Sequence, residues 1–137
     1  MKNKSSLYQS AIHILTYREH SRQELKRKLL AKIPDDAEIE ILLDKLADLE
    51  LQSDDRFTQA YIHMRRNRGY GPVRIRAELR ERGISAELIN SHLNEYDPQW
   101  QELAEQAVIK KFGNAPSQDY AERVRQARFL QYRGFKM

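Results

Sequence analysis

Apolar residues recur along this chain at three- and four-residue steps, and alternation at every second residue is almost absent, so the pattern is that of helices throughout. Leu7, Ala11, Ile14, Leu15 and Arg18 predict a first helix over about residues 6–19. Ser21-Arg22-Gln23-Glu24 is a capping box, in which the serine oxygen and the glutamate carboxylate reciprocally satisfy orphan amides. It opens a second helix, with Leu25 and Leu29 inward, that ends before Pro34. Asp35 or Asp36 caps a third, whose apolar positions are Ile39, Leu42, Leu43, Leu46 and Leu49. Ser53 caps a fourth: Asp54 and Asp55 favour the positive end of its dipole, Phe57, Tyr61 and Met64 share a face, and Gly69 is the stop. Gly71-Pro72 opens a fifth helix running to Arg82 and ended by Gly83. Ser85 caps a sixth, with Leu88, Ile89 and Leu93 inward. Asp97-Pro98 starts a seventh through Trp100, Leu103, Ala107 and Val108 to Gly113. Ser117 caps an eighth, carrying Tyr120, Val124, Ala127 and Leu130 and stopping at Arg133-Gly134.

The helices repeat in groups. Shifted by fifty residues, Ile12-His13 falls on Ile62-His63, Ser21 on Gly71, Leu25 on Ile75, Leu29 on Leu79 and Ile39 on Ile89. Arg82-Gly83-Ile84 returns fifty-one residues later as Arg133-Gly134-Phe135. Such a period means one supersecondary unit copied in tandem, each copy burying its apolar face against its neighbours. The expected fold is all-α, an elongated array of three-helix repeats over residues 1–52, 53–97 and 98–137. By analogy with Gly83, Gly134 should precede a ninth helix, yet the chain stops at Met137, so the third repeat is expected to lack its last helix.

Composition narrows the class. Of 137 residues, 40% are hydrophobic, which favours several thin cores over one thick one. Residues 1–64 hold ten Lys/Arg and eleven Asp/Glu, net −1, whereas residues 65–137 hold fourteen and nine, net +5. A basic half of this kind suits a polyanionic or acidic partner. The absence of cysteine excludes disulfides and thiolate metal sites. MKNKSSLYQS has no apolar signal core after it, and no apolar run approaches membrane-spanning length, so a soluble cytoplasmic protein without membrane contact is expected.

Catalytic chemistry finds little support. His13, His20, His63 and His92 are scattered and form no i, i+4 metal pair. Asp35-Asp36 and Asp54-Asp55 sit at helix starts and point about 100° apart, which suits capping better than paired-acid catalysis. Gly69-Tyr70-Gly71 lacks a preceding strand and a third glycine, so it is a helix–helix turn rather than a phosphate cradle. No catalytic residue, metal or cofactor is expected. Phe57, Tyr61, Tyr96, Trp100, Phe112, Tyr120 and Phe129 fall on core spacing, and Tyr70 is the aromatic expected to stand exposed, able to stack on a base or fill a partner pocket.

The arginines are the candidate chemistry. Arg65, Arg66, Arg68, Arg74, Arg76, Arg80 and Arg82 lie within eighteen residues that hold only two acids, Glu78 and Glu81. Late-helix arginines also stabilise carbonyl ends by about 0.3–1 kcal/mol each, but seven together favour a binding surface. Arginine's planar fork grips carboxylates and phosphates bidentately. Helical spacing lets Arg74 and Arg82 pair with Glu78, leaving Arg76 and Arg80 less compensated on one face. Lys110, Lys111, Arg123, Arg125 and Arg128 form a second basic group. Three functions use such a surface: regulation of a nucleoprotein, stand-alone nucleic-acid binding by helix-turn-helix-like units, or scaffolding of an acidic protein.

Ser21-x-x-Glu24-Leu25, Asp54-Asp55-Arg56-Phe57, Gly71-x-x-x-Ile75-x-x-Glu78-Leu79 and Arg82-Gly83-Ile84, in this order and spacing and with Arg133-Gly134-Phe135 near the end, resemble the RecX family of recombinase regulators from about Leu7 to Phe135. The resemblance implies three tandem three-helix repeats in a curved, elongated protein. It implies a non-catalytic monomer that binds the RecA nucleoprotein filament in its groove and depresses ATP hydrolysis, strand exchange and co-protease activity. From the arginine surface, direct contact with single-stranded DNA is expected to be weak and sequence-independent. Gln52-Ser53 departs from the family's usual aliphatic residue before the acidic pair, and the missing last helix bears on any partner contact made at the C-terminal end.

Overall fold

The computed structural model describes residues 4–113 and 119–136, and these fold as helices without a strand. The elements are α1 (Lys4–Tyr17), α2 (Arg22–Leu30), α3 (Asp36–Asp48), α4 (Asp54–Asn67), α5 (Pro72–Glu81), α6 (Ala86–His92), α7 (Gln99–Phe112) and α8 (Tyr120–Arg133). The capping chemistry lies where the side chains foretell it. Ser21 accepts from the Glu24 amide at 3.1 Å while Glu24 accepts from the Ser21 amide at 3.1 Å. Asp35, Ser53 and Ser85 each accept from the amide three residues on. At α8 the cap is Asp119, which accepts from the Ala121 amide at 3.1 Å; Ser117, expected there, lies outside the described residues.

Two enclosed cores form. α1–α3 bury Leu7, Ala11, Leu25, Leu29, Ile39, Leu42, Leu43 and Leu46 together. α4–α6 bury Phe57, Tyr61, Ile62, Ile75, Leu79, Ile84, Ile89 and Leu93. Among the described residues the third unit has no enclosed core of its own: α8 buries nothing, and Trp100 and Phe135 enter the core of the second unit. Two helices cannot enclose an apolar face, so the pair leans on its neighbour. Four positions expected inside are not. Leu49 is the exposed cap residue of α3, and Met64 lies on the rim of α4. Tyr96, 74% exposed, sits in the turn after α6, where helical spacing no longer holds, and Tyr120, also 74% exposed, is the first residue of α8.

The units join by a repeated device. α5 ends with Gly83 at φ +83°, its amide on the Arg80 carbonyl and the Ile84 amide on the Leu79 carbonyl, a Schellman turn that throws Ile84 inward. α8 ends identically through Gly134 at φ +93°, with the Phe135 amide on the Leu130 carbonyl. Each turn seats on the start of the middle helix of the unit before it. Gln23 on α2 donates to the Glu81 carbonyl at 3.0 Å. On α5 the Gly71 amide donates to the Arg133 carbonyl at 2.8 Å and the Val73 amide to the Gly134 carbonyl at 2.9 Å. Gly71 brings no side-chain cap, so these carbonyls satisfy the helix start instead. A Cβ on Gly71 would stand 2.5 Å from the Gly134 oxygen, which is why glycine occupies the site that serine holds in the first unit. The first joint is more polar. Gln52, buried, donates to the His20 carbonyl at 3.3 Å and to Asp54 at 2.9 Å, and Asp54 also takes the Arg22 amide at 2.8 Å. An aliphatic residue at position 52 would leave that helix-to-helix bracket unmade.

Candidate nucleic-acid and partner interface

The seven clustered arginines divide by what holds them. Glu78 on α5 is the hub, taking both nitrogens of the Arg65 fork at 2.9 Å, Arg74 Nε at 3.2 Å and the Tyr61 hydroxyl at 2.9 Å. Burial pushes the Glu78 carboxyl up, but the bonds from Arg65, Tyr61 and Arg74 outweigh it and hold the group below the ordinary range. Burial and the same carboxylate push the Tyr61 phenol up to about 12, so it stays a donor. Arg82 does not reach the Glu78 carboxylate as helical spacing suggested. It donates to the Glu78 carbonyl at 2.9 Å and faces Glu24 of α2 at 3.6 Å, because the Schellman turn swings it across the joint.

Tyr70 is half-buried rather than exposed, its ring 3.8 Å from the Arg65 guanidinium, 4.5 Å from Arg74 and 5.1 Å from Arg133. Those cations occupy the ring where a base would stack. Arg76 also departs from expectation: it bonds Glu95, the Asn90 carboxamide oxygen at 2.7 Å and the Leu93 carbonyl at 3.4 Å, tying α5 to the turn after α6. Arg80, four residues on, stands exposed without a partner among the described residues. One face of the helix therefore carries one structural arginine and one free one.

The structure brings the remaining cations together across the second joint. Arg66 and Arg68 at the end of α4, Lys110 and Lys111 in the last turn of α7, and Arg133 of α8 line one cleft of about 540 Å³, with Leu103, Ala107 and Phe129 on its floor. Among the described residues no carboxylate lines it. Arg68, Lys110 and Lys111 have no ion-pair partner among the described residues, and Arg66 makes only a 3.3 Å bond to Gln99. Arg68 also borders a cleft of about 410 Å³ between the first two units, but that one contains Glu19 and Glu24. Arg123, Arg125 and Arg128 stand exposed on α8, outside the cleft wall. Sequence reasoning read Arg133 only as a helix stop. Its recurrence with Arg82 in an Arg-Gly-apolar block was the signal that it does more.

Histidine chemistry is structural. His20 is buried, bonding the Arg18 carbonyl through Nδ1 at 3.0 Å and Lys28 through Nε2 at 2.7 Å. Burial and the adjoining cations hold its pKa below the ordinary value. His92 of α6 pairs with Asp55 of α4 at 2.7 Å within the second unit. Among the described residues no group of His, Asp and Glu could hold a metal ion, and no helix is long and apolar enough to cross a membrane.

Comparison with known proteins agrees with this architecture. Family models described as the first, second and third three-helix domains of RecX match residues 8–46, 53–93 and 97–137. The chain is 41% identical over 127 residues to the regulatory protein RecX of Stenotrophomonas maltophilia, covering 93% of this chain and 78% of that one. It is 44% identical over 127 residues to its counterpart in Chromohalobacter salexigens, covering 91% and 82%. The crystal structure of RecX from Lactobacillus salivarius superposes with a TM-score of 0.79 at 23% identity, over 97% of this chain and 88% of that one.

Proposed function

Because the chain belongs to the RecX family of regulatory proteins, we propose that it binds the RecA–DNA filament and inhibits ATP hydrolysis, strand exchange and co-protease activity, so modulating recombination and repair. It does so without catalysis or cofactor, as a cytoplasmic monomer. The observation that carries the reading is the match of all three three-helix domains in order to a family of regulators, on a chain whose free cations gather on its second and third units. Unpaired arginine and lysine suit both partners in such a filament, the phosphates of DNA and the carboxylates of protein. The ion-paired Arg65, Arg74, Arg76 and Arg82 support this surface by fixing its helices, while Arg68, Arg80, Lys110, Lys111, Arg123, Arg125 and Arg128 meet the partner directly.

The test is a titration into DNA-dependent RecA ATPase. Sub-stoichiometric to equimolar protein should lower the steady-state rate. A rate unchanged across a broad titration, with a helical circular-dichroism spectrum from the same sample, refutes the reading and leaves stand-alone nucleic-acid binding, for which the carboxylate-free cleft speaks.

A further inference from the structure

We propose that the cleft between the end of α4 and the α7–α8 hairpin seats the sugar-phosphate backbone of a single, unpaired nucleic-acid strand. The proposal rests on the nucleic-acid half of the function above and assigns it a place. Five cations from three helices, Arg66, Arg68, Lys110, Lys111 and Arg133, converge there with no carboxylate among the described residues to balance them. Of the other clustered arginines all but Arg80 are paired: Arg65 and Arg74 close on Glu78, Arg76 on Glu95 and Arg82 on Glu24. A concave wall of like charge repels itself until a polyanion enters, and the counterions released on entry drive the association.

The hydrogen-bonding capacity of the wall is also largely unspent. Arg133 uses Nη1 on the Arg68 and Gly69 carbonyls at 3.2 and 3.4 Å, and its other nitrogens have no partner among the described residues. Phe129 and Arg133 are four apart on the cleft side of α8, so Arg125, one turn earlier and exposed, carries the positive stripe beyond the cleft mouth. A compact anion needs no such continuation, whereas a strand does. A cleft of about 540 Å³ admits one strand, whereas a duplex is too wide to enter it. Phe129 is engaged edge-on by Phe112 and capped by Arg133, and Tyr70 is covered by three arginines, so bases find no open ring to stack on. The cleft therefore reads backbone and not sequence. Because Arg66 and Arg68 belong to one unit and the lysines to the next, the bound strand also staples the second joint.

Fluorescence anisotropy with a labelled oligothymidylate tests this. Five phosphate contacts predict a log–log salt slope of about −3.5, taking about 0.7 per contact on single strands. Lys110→Glu with Lys111→Glu should weaken binding by tenfold or more without moving the melting temperature, and Arg68→Glu severalfold. Arg27→Glu with Lys32→Glu, the same charge change at exposed unpaired sites of the first unit, should stay within twofold. Parent-like binding by the cleft variant, or equal weakening by the first-unit control, overturns the assignment. So does tripolyphosphate competing as well as the oligonucleotide at equal phosphate concentration, which would mark a compact-anion site. RecA ATPase measured on the parent separates the two claims: absence of inhibition there refutes the regulatory reading, whatever the oligonucleotide does.

Discussion

Gly71→Ser sets local and tertiary expectation against each other. Serine is what the first unit has at this position, and by local rules it should help. A serine cap improves on glycine by a few tenths of a kcal/mol, and removing a glycine restricts the unfolded chain by about 0.4–1 kcal/mol. The joint reverses the sign. A Cβ at 71 would stand 2.5 Å from both the Gly134 oxygen and the Phe135 nitrogen, which are backbone atoms and cannot turn aside as a side chain can. Relief requires residues 133–135 to lift away, taking with them the bonds from Gly71 and Val73 and the burial of Phe135. Two hydrogen bonds at about 0.5–1.5 kcal/mol each and an exposed phenylalanine at about 1.5–3 kcal/mol exceed the local gain, leaving a net loss of about 2–4 kcal/mol. Urea unfolding followed by the fluorescence of the single tryptophan, Trp100, which shares the core with Phe135, measures the loss. Hydrogen exchange at the Gly71, Val73 and Phe135 amides locates it. Combined with Phe135→Ala, the serine should cost little more, because both changes undo the same joint. A variant at least as stable as the parent, with those amides as protected as before, would refute the account of how the units join.

Two further outcomes follow from the charge network. Acid should weaken the fold in two stages. His20 is held neutral below its ordinary 6.5, so the stability it contributes is complete above that pH and declines as pH falls through the lowered folded value. Glu24 and Glu78 are held ionised below 4.5, and their contribution is lost only as pH falls through their own lowered values. Thermal melts across pH should show the upper stage vanish in His20→Gln while the lower persists; an unchanged upper stage would mean that His20 is not its source. Arg76→Ala should cost about 1–3 kcal/mol, since Glu95 and the Leu93 carbonyl lose their partner, whereas Arg80→Ala should stay within about 0.5 kcal/mol. Equal urea midpoints for the two would contradict the division of that helix face.

What the sequence determined by itself is the local half of the protein. Ser21, Asp35, Ser53 and Ser85 cap helices because a cap needs only a side chain and an amide three residues on, both in one short stretch. Gly83 and Gly134 end helices because a left-handed turn is a property of one residue, and the fifty-residue echo between Leu25-Leu29 and Ile75-Leu79 was enough to place buried positions in both cores. Tertiary structure decided which cations are free. Helical spacing offered Glu78 to Arg82, but the fold gave it to Arg65, thirteen residues away, and spent Arg76 on Glu95. Charge acts through space, and no window along the chain could show that Arg66, Arg68, Lys110, Lys111 and Arg133 share one cleft. The same limit hid the role of Gly71, because the atom it makes room for is sixty-three residues further on, and only the packing of one unit on the next brings the two backbones within contact.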